Sequence, residues 1–401
     1  MARVVCPLSD TGTSGGADLR NLRIGLSIRT LCNPDFNGQV DGIGIYTRQL
    51  WRQLRASRDV EVSPITGFGR RYALLALEYP SGFGFPLNYG ACGALSMLSG
   101  ASFAGGRRLA QRIDVYHATD YWIPKLDQVS VVATLHDAIP LSHPEWATPK
   151  HRALKNILIR GAARWADSVI TVSKAMVPAI VEQFRVPLER ITVIPNGLDD
   201  EWFVRLSLGA RQAILARHGL APGFFLTVGT LQPRKNLSRV LVAHRSLPLN
   251  TRRERPLVIV GRMGWGMDEV LPAIRIGQAS GDVFWLDYAS DADLRAIFQS
   301  AHALVFPSLH EGFGMPVVEA FASGIPVVTS NVSALPEVAG DAALQVDPLD
   351  VEAIREAMLR LSSDSALYMR LVAAGSLRAR TFSWQTCAER VMAVYRSVSR
   401  T

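Results

Sequence analysis

Two glutamates, Glu311 and Glu319, flank a glycine-containing turn in the segment HEGFGMPVVEAFASGIP (310–326). The apolar run ALVFPS (303–308) predicts a buried strand ahead of it. Gly314 followed by Pro316 predicts a helix start. Free N–H groups at a helix start attract anions, phosphate above all. Gly312 and Gly314 let a ligand approach the backbone closely. Glu311 then falls on the loop and Glu319 one turn inside the helix. Carboxylates accept hydrogen bonds from sugar hydroxyls, so the pair suits a sugar at one end of a phosphate site and a ribose at the other. Spacing alone leaves a second reading open, with two surface carboxylates and glycines that only turn the chain.

Other residues could act with this pair. Arg234 and Lys235, in VGTLQPRKNL (228–237), follow a predicted strand and precede a predicted helix. Cations at a helix start are unfavourable, which favours a functional role: neutralising a departing diphosphate. His136 and Asp137 end the strand pattern VSVVATLHD (129–137), where a side chain faces a cleft; an ordinary packed histidine is the alternative. Asp41-Gly42-Ile43-Gly44 precedes the first helix pattern. A lone GxG is a weak signal. Gly42 is the candidate for close approach to a ligand, and Asp41 alternatively meets an acceptor. His117, in VYHATDYW (115–122), lines the acceptor side or is packed. Asp291 and Asp293 mimic a DxD metal motif, but Ser290 three residues ahead of Asp293 reads as a helix N-cap, so no metal site is expected.

These residues need elements to hold them. The chain has 401 residues, 48% hydrophobic and 19% charged, enough for two cores. Strand patterns at 22–29, 60–64, 115–118, 129–136, 168–172 and 191–195 alternate with helices. After NGLDDEWF a second series follows at 224–229, 256–260, 283–286, 303–306 and 326–329. Alternating β and α elements imply an α/β protein of two Rossmann-like parallel-sheet domains facing a cleft, with ligands in the post-strand loops. The net charge of +8 comes without a dense Lys/Arg run, so no nucleic acid is expected as a partner. The four cysteines, Cys6, Cys32, Cys92 and Cys387, are far apart, and the start has no apolar signal region, which predicts a cytoplasmic protein with reduced thiols and a flexible tail over 1–20. Between Glu78 and Arg107 there is no charge. Pro80, Pro86 and the glycines break this stretch, and its apolar part (91–104) is too short to span a bilayer. With Arg70, Arg71, Arg107, Arg108 and Arg112 on its flanks it is either a buried helix with a glycine-rich loop or a peripheral contact with an anionic membrane, at the inner face of the cell membrane.

The Glu-x7-Glu spacing and the surrounding EGFGMPVVEAFASGIPVV (311–328) resemble the retaining nucleotide-sugar glycosyltransferases of family 4, and the resemblance extends through most of the chain. It implies the GT-B fold. Residues 21–198 would form the N-terminal acceptor-binding domain and 199–380 the nucleotide-sugar-binding domain, with 381–401 a helix returning to the first. It further implies that Glu311 contacts the donor sugar, Glu319 the ribose, and the backbone of Phe313, Gly314 and Met315 the sugar and phosphate. Arg234 and Lys235 become diphosphate ligands, although the family spaces them a few residues apart. His136 lies beside the donor sugar with Asp137 orienting it. Gly42 and Gly44 lie near the donor phosphates, with Asp41 where the family has its first glycine. Ser173 and Asn196, in SVITVSKAMVPAI and VIPNGLD, lie near the cleft. Asp287 stands where the family often has glycine, beside the base. No metal or other cofactor is implied.

The texts GIGIYTRQLWRQL and TLHDAIPLSHPEW are most similar to bacterial mannosyltransferases that use GDP-mannose to build exopolysaccharide or lipopolysaccharide repeats, often on polyprenyl-diphosphate carriers. The donor and a glycan or lipid-linked acceptor are then the partners. UDP-glucose or another UDP-sugar is the alternative donor. A non-catalytic nucleotide-sugar-binding protein is a second alternative, disfavoured by the complete Glu, Arg, Lys and His set. An NAD-dependent dehydrogenase is disfavoured by the missing GxGxxG.

Overall fold

Two parallel sheets organise the chain. The structure, a computed structural model, describes residues 21–32, 41–79, 81–146, 152–267 and 270–399. The expected tail over 1–20, Cys6 and Pro80 lie outside the described residues. The first sheet contains β1 (Leu22–Ser27), β2 (Val60–Phe68), β3 (Phe83–Phe85), β4 (Val115–Ala118), β5 (Ser130–Thr134), β6 (Ser168–Thr171) and β7 (Ile191–Val193), in the order β3-β2-β1-β4-β5-β6-β7. The second contains β8 (Phe225–Val228), β9 (Leu257–Val260), β10 (Val283–Leu286), β11 (Ala303–Phe306), β12 (Val327–Ser330) and β13 (Leu344–Val346), in the order β10-β9-β8-β11-β12-β13. Every pairing between these strands is parallel.

Side chains alternate between faces along a strand, so each sheet separates two cores. In the first sheet Ile24, Leu26, Val115 and Val132 pack on one side, while Tyr116, Val131 and Ala133 pack on the other. In the second, Phe224 and Leu226 join the core containing Phe306 and Phe321, and Phe225 joins the opposite one. The helix Trp384–Val398 covers the first sheet: Trp384, Val391 and Tyr395 pack among Ile24, Leu26 and Tyr46. Its Tyr395 hydroxyl lies 2.7 Å from His117 Nδ1, and His117 Nε2 lies 2.8 Å from Thr134 Oγ1. His117 is therefore a core residue and not part of an acceptor surface. It has no exposed area, and burial, reinforced by His136, drops its pKa to about 3. A neutral imidazole bonded at both nitrogens satisfies a site that a cation could not occupy without large cost.

In an open α/β sheet the crevice lies where strand order reverses. Here those points are β1/β4 and β8/β11. The uncharged stretch supplies the edge strand β3 and the helix Tyr89–Ser99, which starts on an Asn88 cap and ends at left-handed Gly100. The helix is only half covered: Leu95 and Leu98 are 58% and 89% exposed. Among the described residues no helix is long and apolar enough to cross a membrane.

Candidate active site

The β8/β11 reversal places two loops side by side. After β8, a short 3-10 turn, Pro233–Lys235, is stopped by Asn236 in the left-handed conformation. The Asn236 amide donates to the carbonyls of Pro307 (2.9 Å) and Pro348 (2.7 Å), which fastens this turn to the loop after β11. Arg234 Nη1 then donates to Glu311 Oε2 at 2.9 Å and Lys235 Nζ to Glu311 Oε1 at 2.7 Å. Arg234 also donates to the His310 carbonyl. The Ser333 hydroxyl accepts from the Glu311 N–H and donates to its carbonyl, fixing the residue from behind. Burial alone would raise the Glu311 carboxyl; Lys235 and Arg234 outweigh it and hold the pKa at about 2. Glu311 is thus an ionised carboxylate shared by two cations.

The helix Met315–Ser323 begins after Gly314 (φ +111°), a conformation that favours glycine. Glu319 is 8% exposed on it. Burial, with the nearby carboxylates of Asp291 and Asp199, pushes its pKa up to about 8. The Phe313 ring points into the core against Phe382, so only its backbone is left to serve the site.

The first domain meets this cluster directly. A Cβ on Gly312 would sit 2.2 Å from the His136 carbonyl oxygen, so the Gly312 backbone closes on the first domain rather than on open space. The Ser173 hydroxyl donates across the cleft to the Gly312 carbonyl at 2.8 Å, and the Ala175 N–H donates to Glu337. His136 is buried edge-on against Tyr46, ring centroids 4.8 Å apart. Its Nε2 lies 3.2 Å from the Thr119 carbonyl, which can only accept, so Nε2 carries the hydrogen and Nδ1 is left as an acceptor. Desolvation lowers its pKa despite Asp137, which keeps the ring neutral. Asp137 does not bond that ring. Its Oδ1 accepts from the Tyr121 hydroxyl (2.5 Å) and the Ile139 N–H (2.9 Å), so it orients Tyr121 and the turn after β5.

Gly42 and Gly44 do not form a loop before the first helix; they are its first turn. The helix runs Gly42–Ala56, and the Asp41 carboxylate caps it by accepting from the Gly44 N–H at 2.8 Å. Asp41 is an N-cap, a role in which one carboxylate oxygen is already occupied. Asn196 is buried where the chain passes between domains, next to Gly197, whose Cβ would lie 2.1 Å from the Trp384 nitrogen; Asn196 Oδ1 has no partner among the described residues. The Ser290 hydroxyl accepts from the Asp293 N–H, and Asp293 is held by Arg217 and His218.

Two family models match the chain: "Glycosyltransferase Family 4" over residues 40–202 and "Glycosyl transferases group 1" over 213–378. The O-antigen chain mannosyltransferase B of Escherichia coli is 33% identical over 284 residues, 70% of this chain and 74% of that protein. The chain belongs to glycosyltransferase family 4. The serotype-specific mannosyltransferase WbdA of Escherichia coli is 29% identical over 262 residues, 64% of this chain; the match spans about a third (32%) of that relative's length. The crystal structure of the Anabaena protein HepE in complex with UDP and glucose superposes with a TM-score of 0.68, covering 94% of this chain and all of that one at 17% identity, which shows the shared GT-B fold.

The site of this family 4 enzyme also contains residues that the motif reading did not place in it. Asn236 stands in a sequon whose match is read as chance, yet its left-handed backbone and two carbonyl contacts set the cation turn. His310, beside Glu311, faces His143 of the first domain at 5.3 Å, and His143 stacks on Trp146 at 4.2 Å. Asn, which takes up a left-handed backbone more readily than other non-glycine residues, is the local signal for the first; the second depends on domain contact and has none.

Proposed function

We propose that this glycosyltransferase transfers mannose from GDP-mannose, with retention at the anomeric carbon, to a glycan carried on a polyprenyl-diphosphate lipid. The observation that carries the reading is Glu311 held between Arg234 and Lys235 at the β8/β11 crevice. Two adjacent cations suit the donor diphosphate, and a fixed, ionised carboxylate suits the hydroxyls of the sugar. A carboxylate with its charge drawn off by two cations is a poor nucleophile, which favours a front-face transfer over a double displacement. In that step the acceptor oxygen bonds to the anomeric carbon as the bond from that carbon to the phosphate oxygen breaks. The acceptor proton passes to the leaving diphosphate, whose charge Arg234 and Lys235 stabilise. Neutral His136 accepts from a donor-sugar hydroxyl through Nδ1 and positions it. The mannose donor is supported by the mannosyltransferase relatives.

A lipid-linked acceptor is supported by the leucines left exposed on the first domain. The helix Arg152–Ala162 packs against Tyr89–Ser99 and exposes Leu154 and Ile157 by about the same fraction, 60% and 62%, while Arg70, Arg71, Arg107 and Arg108 flank in sequence the uncharged stretch that holds the second helix. Labelled nucleotide-sugars incubated with the protein and a membrane extract test the reading. The expected result is release of GDP, and label in the lipid fraction, with GDP-mannose alone. Equal turnover of UDP-glucose would overturn the donor, and equal transfer to a water-soluble glycan would overturn the lipid-linked acceptor.

A further inference from the structure

The other strand-order reversal, β1/β4, holds a separate cavity of about 350 Å³. Arg29 follows β1, Phe68 ends β2, Trp122 follows β4, and Tyr72, Tyr89 and Lys155 complete its main walls. The position is the one where an open α/β sheet takes its ligand. Its chemistry is mixed. Arg29 donates twice to Asp120 Oδ2, from Nε at 3.0 Å and Nη2 at 2.6 Å, and its guanidinium lies over Trp122 at 5.2 Å. Asp120 offsets that charge. Lys155 has no ion-pair partner among the described residues, so its ammonium leaves the cavity positive. Burial, with Arg29 close by, lowers the Lys155 pKa, and Asp120 counteracts it. A half-buried cation without a carboxylate of its own is costly unless an anion joins it.

The cavity connects two features already described. Asp120, which pairs with the wall residue Arg29, follows Thr119, whose carbonyl holds His136, so one ion pair and one peptide link tie the cavity wall to the residue beside the proposed transfer site. Its rim includes Leu154 and Gly90, from the two helices that expose leucines. One ligand meets all these conditions: an anionic group with an apolar chain on one side and a sugar on the other. We infer that this cavity holds the diphosphate of a lipid-linked acceptor, with Lys155 as its ligand, Arg29 and Trp122 as its wall, and the lipid leaving over Leu154. This rests on the proposed acceptor class and specifies where that acceptor binds.

The test uses the full chain and farnesyl diphosphate, followed by calorimetry without donor. The expected result is binding at least tenfold tighter than that of inorganic diphosphate or farnesol. Lys155→Gln is expected to weaken it about tenfold, the loss of one charge-assisted contact. Lys155→Arg should remain within about threefold of the parent, since an arginine also binds phosphate. Arg234→Ala, in the donor crevice, should cost less than twofold. A Lys155→Gln protein that melts at the parental temperature and binds as the parent does would overturn the inference. So would a larger loss from Arg234→Ala, which would place the diphosphate in the donor crevice. Equal binding of inorganic diphosphate would show an anion site with no lipid selectivity and would overturn it too. Because binding is read without turnover, a failed donor screen with intact Lys155-dependent binding removes the transfer reading alone. Turnover with Lys155-independent binding removes the cavity assignment alone.

Discussion

Glu311 and Glu319 are buried to nearly the same depth, 7% and 8% exposed, yet their charges are opposite in character. Glu311 sits on a loop that Asn236 and Ser333 press against two cations, and its pKa falls to about 2. Glu319 sits inside a helix beside other carboxylates, and its pKa rises to about 8. Depth of burial therefore does not decide ionisation; the partners that the fold supplies do. Glu311 has its charge partners in place, Arg234 and Lys235, as the proposed donor site requires. Glu319 is incomplete. Near neutral pH it keeps its proton and so has a hydrogen-bond donor to offer, which in the proposed donor site would meet the ribose.

The largest effect is expected from removing the cations that create this contrast. Arg234→Ala combined with Lys235→Ala should lower kcat/KM by about a thousandfold or more, since both of the proposed diphosphate contacts go and Glu311 is left buried and unpaired. Steady-state kinetics with a saturating acceptor measure it. A loss below tenfold would mean that the cations only neutralise Glu311 and do not touch the donor.

A smaller effect, on stability, tests the other glutamate. Its folded pKa, about 8, lies above the ordinary 4.5, so the folded protein binds this proton more tightly than the unfolded chain. The sign follows: the stabilisation from the protonated form is full below about pH 4.5 and is lost as pH rises through about 8. Glu319→Gln removes the titrating group and should gain on the parent as pH rises, by on the order of 5 kcal/mol at most once the parent is fully ionised. Chemical denaturation at pH 5 and pH 9 checks it. Glu311 has the opposite sign: its stabilisation is present above about pH 4.5 and is lost as pH falls through about 2. A pH-independent difference between Glu319→Gln and the parent would break the contrast.

The fold and the site were unequally legible in the sequence. The loop around Glu311 and the helix behind it were readable because strand, glycine, proline and helix follow one another locally. Arg234 and Lys235 were readable because cations at a helix start run against the helix dipole. Two edge strands, β3 and β13, were missed: each is three residues, too short for an alternating pattern, and neither has the apolar Ile-Thr-Val-Ile run that made the equally short β7 readable. His117 shares its strand parity with Val115, so it faces the same core; that the helix Trp384–Val398 covers this face is a contact across most of the chain. Gly42 and Gly44 looked like a loop because glycine is a poor helix former, yet the Asp41 cap starts the helix there. Ser173 and Gly312 meet only when the domains come together, which no local pattern encodes.

The most direct test is the turnover of Glu311→Gln, measured with labelled GDP-mannose and a membrane extract beside the dissociation constant of GDP. Glutamine keeps the shape but cannot share a charge with Arg234 and Lys235. The expected result is a fall in sugar transfer of about a hundredfold with GDP bound at least as tightly as by the parent, because the two cations are then free for the diphosphate. Full transfer activity in Glu311→Gln would contradict the placement of the donor sugar against this carboxylate.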